Sequence, residues 1–224
     1  MRKSFVRIYC CVIAIAVIAA AAWGISAKGS YTDWSSEENY LDNFDVAEML
    51  DTTCATSCES MRANLDDSPI IAQVKCTGDI EHLFYISQQP VTISKIFKGD
   101  GLSKGNEIYL ASNSWCLLVE QNFRAIERGY VNIMKPGSEY MVFISQQVGE
   151  SNGTPVYLLN HVSIVAPVFS YEDVQNVIIP VPSDNTYVPY KEVQNNEFFV
   201  TSHESLDMIL ALKKEFIQKY PMSE

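Results

Sequence analysis

At 224 residues, with 47% hydrophobic and 11% aromatic side chains, the chain is neither disordered nor of low complexity, and it is long enough for one sizeable core. Its formal net charge is −11, from 16 basic and 27 acidic residues. That excess sets nucleic acid aside as a partner, because affinity for a polyanion rests on basic contacts that neutralise it.

Charge is distributed unevenly along the chain. Arg2, Lys3 and Arg7 precede an uncharged run of twenty residues, Ile8 to Ala27, and all 27 acidic residues follow it. Twenty helical residues at ~1.5 Å each match a hydrocarbon core about 30 Å thick. Basic residues on the amino-terminal flank put that end in the cytoplasm and the rest of the chain outside. A cleaved signal peptide is the competing reading, because Ala20-Ala21-Ala22 and Ile25-Ser26-Ala27 both suit a peptidase that prefers small residues. The length of the run favours an uncleaved anchor over residues 1–28. Cys10 and Cys11 at its start read as small polarisable packing residues.

Residues 29–67 read as an acidic helical stalk. Asp33 to Asp67 holds ten acids against one base, Arg62, so a solvated face is expected there. Tyr40, Phe44, Met49 and Leu50, then Met61 and Leu65, recur at helical spacing and predict two short helices, the second stopping before Pro69.

A β domain is expected over residues 68–200. Ile70, Ala72, Val74 and Cys76 alternate with Gln73, Lys75 and Thr77 as on a half-buried strand. Leu83 to Phe97 predicts a long second strand with Pro90 at an edge or bulge. Ile108 and Leu110 predict a third, and Trp115 to Gly129 loses the period of two and suits a short helix. Met141 to Ile144 is apolar on both faces, as a deeply buried strand is. Val156 to Leu159, Val162 to Val165, Val177 to Ile179 and Phe198 to Val200 predict further strands around a stiff loop with Pro180, Pro182 and Pro189. Lys-x-Gly turns open two of the strands, so Gly105 and Gly137 are expected at positive φ, with Gly153 more tolerant of a side chain. The last element, over residues 201–224, is an amphipathic helix: Thr201 and Glu204 have capping-box spacing, Leu206, Ile209, Leu210, Phe216 and Ile217 form one stripe, and Pro221 ends it.

Beyond the apolar run lie four cysteines, Cys54, Cys58, Cys76 and Cys116, an even number that reads as two disulfides on the exported side. Three connectivities are open. Positions four apart on a helix hold Cβ atoms about 5 to 6 Å apart, against about 3.8 Å in a disulfide. Outward bonds from Cys54 and Cys58 to Cys76 and Cys116 are therefore expected, with a local Cys54 to Cys58 bridge as the alternative. Cys54-Ala-Thr-Ser-Cys58 is one residue longer than a thioredoxin-type motif. His82, His161 and His203 are scattered and suggest no metal site. No Gly-x-Ser-x-Gly elbow, phosphate-binding glycine loop or His-Glu-x-x-His occurs. No catalytic, metal or cofactor residue is named.

Cys54 to Cys58, Leu65 to Val74, Ile93 to Tyr109 and Met134 to Ile144 follow one another in an order that resembles exported bacterial proteins with a netrin-like OB barrel, the barrel also seen in tissue inhibitors of metalloproteinases. The resemblance covers about Cys54 to Ile144 and implies a fold and a binding role. Those inhibitors chelate a protease zinc through an amino-terminal cysteine, whereas both cysteines here lie well inside the chain, so inhibition is not carried over.

The expected protein is mainly β: an OB-type closed barrel with an N-terminal transmembrane helix, short leading helices and a C-terminal amphipathic helix. It is read as a single-pass cell-membrane protein with its C-terminal domain outside the cytoplasm. There it serves as a protein-interaction or envelope-associated module for an envelope or extracellular protein, without enzymatic activity. An exported thiol-disulfide redox protein or other exported enzyme is the alternative.

Overall fold

The computed structural model describes residues 2–30, 39–83, 86–120, 122–180 and 186–222. They form two compact units, residues 1–40 and 41–224. The first is helix α1, Arg2–Ser30. An uninterrupted run of Ala, Ile and Val without proline favours it, and it contains the expected span Ile8 to Ala27. From 12 to 26 every side chain is exposed, Ile18 by 68% and Trp23 by 77%. Among the described residues no helix is long and apolar enough to cross a membrane. Residues 31–38 of the expected stalk lie outside the described residues.

The second unit is built on five strands: β2 (Ile70–Cys76), β4 (Ser87–Lys98), β5 (Glu107–Ser112), β8 (Glu139–Ser151) and β9 (Thr154–Leu159). β2 pairs antiparallel with both β4 and β8, β4 pairs antiparallel with β5, β5 pairs parallel with β9, and β9 pairs antiparallel with β8. The circuit closes, so the protein is mainly β around a closed five-stranded barrel. In chain order the barrel strands run 1-2-3-5-4 and back to 1. Two short strands extend it, β3 (Glu81–His82) beside β4 and β10 (Val168–Ser170) beside β8.

Strand pattern follows burial. Ala72 and Val74 lie opposite Val142 and Tyr140 on one face of the β2–β8 pair, and Ile71 lies opposite Phe143 on the other. Both faces are buried, which is why Met141 to Ile144 shows no alternation. Pro90 sits one residue past the end of the β2 ladder, where its carbonyl accepts Thr77 N–H at 3.0 Å. Its missing N–H faces the same way, so the ladder loses nothing. The β8–β9 turn is Asn152-Gly153, at φ 51° and 80°, joining the pair Ser151 and Thr154. This is the two-residue hairpin that twisted strands favour. Gly153 therefore ranks with Gly105 and Gly137, which take the expected positive φ, and is no more tolerant than they are.

The segment expected as a stalk joins the globular unit from Leu41 onward. Strand β1 (Asp45–Ala47), not a helix, centres a second sheet. It pairs parallel with β7 (Phe123–Glu127) and antiparallel with β11 (Tyr187–Pro189), and β7 pairs with β6 (Cys116–Glu120). The expected helix between Trp115 and Gly129 is thus the β6–β7 hairpin, with Gln121 outside the described residues. Val162 to Val165 and Val177 to Ile179 are irregular, and Phe198 to Val200 forms only single bridges to Val131 and Met49. A short helix α3 (Tyr190–Val193) follows β11.

Two longer helices cover the barrel. α2 (Asp51–Asn64) buries Cys54, Cys58 and Met61, and a 3-10 turn, Leu65–Asp67, ends it before Pro69. α4 (His203–Lys219) is capped by Ser202, whose side chain accepts Ser205 N–H, one residue later than the Thr201 box predicts. It buries Leu206, Ile209, Leu212 and Phe216. Phe216 meets Phe143 of β8 at 5.1 Å between ring centroids, nearly edge to face, and burying such a ring contributes roughly 2 to 3 kcal/mol.

Gly99 closes β4 at φ +100°, and a Cβ there stands 2.4 Å from the Pro69 carbonyl oxygen. Gly101 has φ +87° with open space around it. We expect Gly99→Ala to lower stability by at least ~3 kcal/mol, the upper end for a strained backbone site, and Gly101→Ala by about 1 kcal/mol. Chemical denaturation of the two variants checks the ranking, and equal losses contradict it.

Candidate functional site

The four cysteines fall in three places. Cys54 and Cys58 stand one turn apart on α2, 0% and 4% exposed, with sulfurs 4.0 Å apart, and the Cys54 thiol also reaches Ser205 O at 3.4 Å. Cys76 ends β2, where its thiol donates to Gly78 O at 3.3 Å and takes a contact from Gln89 Nε2 at 3.7 Å. Cys116 opens β6 and donates to Asn113 O at 3.4 Å. The structure brings the first two together and gives Cys76 and Cys116 separate surroundings; no disulfide joins the four. The hydrogen bond between Cys58 and Cys54 holds the Cys54 thiol below its ordinary pKa and pushes Cys58 up. Burial raises Cys76 and Cys116.

A sizeable opening lies elsewhere on α2. A groove of about 430 Å³ runs between this helix and the loop after β9, within the range of small-ligand and peptide sites. Thr52, Thr53, Thr56, Ser57, Ser60 and Ser163 line it together with Val162 and Ile164. Helical spacing puts residues 52, 53, 56, 57 and 60 on one side of α2, beside the face that carries the cysteines. Ser60 Oγ donates to Val162 O at 2.6 Å and ties the loop to the helix. Leu50 and Ile164 are 47% and 50% exposed. No lining side chain titrates near neutral pH, so the groove offers hydroxyl donors and acceptors beside an apolar strip. Such a lining suits binding. Two other cavities, about 40 and 30 Å³, are water-sized.

Polar links hold this wall in place. Asp51, the first residue of α2, accepts Ser205 Oγ at 2.6 Å and also Ser202 Oγ, so one carboxylate joins the starts of α2 and α4 and its pKa is lowered. Arg62 and Glu215 pair at 2.8 Å across the same helices. Behind them Lys213 pairs with Glu197 at 2.5 Å, both buried, and Lys213 Nζ donates to Glu172 O at 2.8 Å. Burial pushes the Glu197 carboxyl up, against the lowering by Lys213.

His82 shares a hydrogen bond with Trp115 O, His161 follows β9, and His203 begins α4. Burial lowers the pKa of His82 and His161. Among the described residues no three His, Cys, Asp or Glu side chains gather as metal ligands.

Glu48 belongs to the acidic run expected to be solvated, yet it is 3% exposed and neither carboxylate oxygen has a hydrogen-bond partner. Its signal lay in its neighbours Val46, Ala47 and Met49, which are all buried. Compared with known proteins, the chain matches no family model and no curated protein.

Burial raises the Glu48 pKa from 4.5 to about 7. The folded protein therefore holds this proton more tightly than the unfolded chain does. The stabilising effect is complete below pH 4.5 and is lost as pH rises through about 7. The loss reaches up to about 3 kcal/mol at ~1.4 kcal/mol per unit. Urea denaturation of the wild type between pH 4.5 and 8 is expected to show this fall, and Glu48→Gln to flatten it. Parallel curves for the two proteins would refute the assignment.

Proposed function

We propose that the chain is a membrane-anchored, extracytoplasmic OB-type barrel that acts as a protein-interaction or envelope-associated module and not as an enzyme. The observation that carries the binding role is the α2 groove, whose hydroxyls suit the N–H and C=O groups of an extended polypeptide while Val162 and Ile164 accept its apolar side chains. The strand order 1-2-3-5-4-1 supports the OB assignment and is consistent with the netrin-like resemblance. The net charge of −11 argues against nucleic acid. The anchoring claim rests on the basic residues before Ile8 and on the exposed apolar side chains of α1.

A thiol-disulfide function is the other reading, drawn from the 4.0 Å between Cys54 and Cys58. Both thiols are buried away from an exchanging partner, and their helical spacing opposes a local bridge. The groove therefore supports the binding role better.

Topology is checked by adding protease to intact cells. Cleavage after Lys28, with the uncleaved chain sedimenting with membranes, is the expected result. Protection until the cells are lysed would reverse the orientation.

The groove is checked with a photo-crosslinking residue placed at Thr56 or, as control, at Gln147 on the exposed β8–β9 hairpin. Discrete protein adducts are expected from position 56 and not from 147. Adducts at neither site, or only at 147, would remove the groove from the binding surface.

A further inference from the structure

Most strand edges in this fold are kept short: β10 and β11 have three residues each and β3 has two. β6 is longer. It borders the second sheet with five residues in unbroken register on β7, and among the described residues no strand lies on its other side. Edges are commonly blunted by lysine, proline or a bulge, and Cys116-Leu-Leu-Val-Glu120 has none of these. Leu117 and Leu118 are half-buried and Val119 is 42% exposed. In a chain of net charge −11, residues 112–119 carry no charge at all. Glu120 lies opposite Phe123 at the turn end of the hairpin, and the pair that flanks a two-residue turn exchanges its hydrogen bonds. Alternation from that pair turns the backbone of Leu118 toward β7 and leaves the N–H and C=O of Leu117 and Val119 pointing away from it.

We propose that β6 pairs antiparallel with β6 of a second copy of this chain, about a two-fold axis through Leu118, so that the four-stranded sheets of the two copies become one continuous sheet. This register uses every outward backbone group, because Leu117 of each copy exchanges both hydrogen bonds with Val119 of the other. It sets Leu118 against itself and Leu117 against Val119, which makes three apolar cross-strand pairs. Glu120 falls opposite Cys116 and not opposite its own copy, so no like charges face each other. Moving the axis to Leu117 brings Trp115 into the ladder, and its φ of 61° is not that of a strand. Moving it to Val119 sets the Glu120 carboxylate against Leu118. An extended segment of another protein can satisfy the same backbone groups, but the edge is complementary to itself in sequence and in charge, and a second copy is the occupant that has this match. The surface is separate from the α2 groove, and its pairing does not depend on what the groove binds.

The test uses the full chain in detergent, with Cys10, Cys11 and Cys116 replaced by Ala. Sedimentation at rising protein concentration is expected to show a monomer–dimer equilibrium. Leu118→Lys places like charges directly opposite each other and should weaken the dimer by at least ~10-fold, whereas Val148→Lys, at an exposed apolar residue of β8, should leave it unchanged. Cysteine crosslinking then reads the register without a disruptive side chain. Residues directly opposite in the narrow pair hold their Cβ atoms about 4.5 to 5.5 Å apart, and diagonal neighbours about 7 to 8 Å. Under mild oxidation Leu118→Cys should therefore crosslink to itself, Leu117→Cys and Val119→Cys should each stay largely uncrosslinked alone, and a mixture of those two should crosslink. The proposal is overturned if the chain stays monomeric at every concentration reached, if the dimer survives Leu118→Lys and is thus held by α1 or another surface, or if crosslinking at 118 is no stronger than at 117 or 119 alone.

Discussion

Closure of the barrel through β9 is the constraint on which the remaining structure depends. This six-residue strand pairs parallel with β5 on one side and antiparallel with β8 on the other. It thereby removes the two open edges that a five-stranded sheet would expose. Once the strands close, one face of each turns inward, and the outer faces of β2 and β8 need cover of their own. α2 and α4 supply it, with Phe216 against Phe143 and Phe169 at 5.1 and 5.9 Å between centroids. The helices are therefore part of the barrel's stability and not appendages to it.

Covering the barrel also sets out the polar groups that matter. The carboxylate of Asp51 takes hydroxyl donors from both Ser202 and Ser205, which fixes the start of α2 against the start of α4. With those ends joined, one side of α2 turns its sulfurs toward α4 and the neighbouring side presents its hydroxyls to the groove. The buried pair Lys213–Glu197 anchors α4 from behind, and Glu197 Oε1 accepts Ser170 N–H from β10 at 2.8 Å. A buried pair of this kind adds little net stability over an apolar replacement, but loss of one partner strands the other charge. Its contribution here is to place the helix.

Legibility tracked the way each segment is buried. β5 and β9 declared themselves by alternation or by short apolar runs between turns, and α4 by its stripe of period 3.6, because each meets the core on a regular face, whereas β2 alternates in sequence yet is buried on both faces, Gln73 included. The β6–β7 hairpin carries a pattern that suits a short helix, because Leu117 and Leu118 are both partly buried without the alternation of a half-covered sheet. Val162 to Val165 and Val177 to Ile179 have the composition of strands, yet they contribute single side chains to the core from irregular backbone: Val165 is 1% exposed and Ile178 packs against the core, while the Asn196 side chain binds the exposed Val177 through its backbone. The candidate site was less legible still. Thr52, Thr53, Thr56, Ser57 and Ser60 become a groove only because the loop after β9 folds beside them.

By itself the sequence determined the exposed apolar helix ahead of the acidic portion, a mainly β domain, the positive-φ glycines at its turns and the amphipathic closing helix. All of these follow from local properties: backbone sterics, side-chain period and charge along the chain. Only the tertiary structure decided that Asp45 to Ala47 is the central strand of a second sheet, that Glu48 is buried without a partner, and that Cys54 faces Cys58 while Cys76 and Cys116 lie elsewhere. Those outcomes depend on which surfaces meet after closure, through contacts such as Ser202 and Ser205 on Asp51 that span about 150 positions in the chain. No local pattern encodes separations of that length.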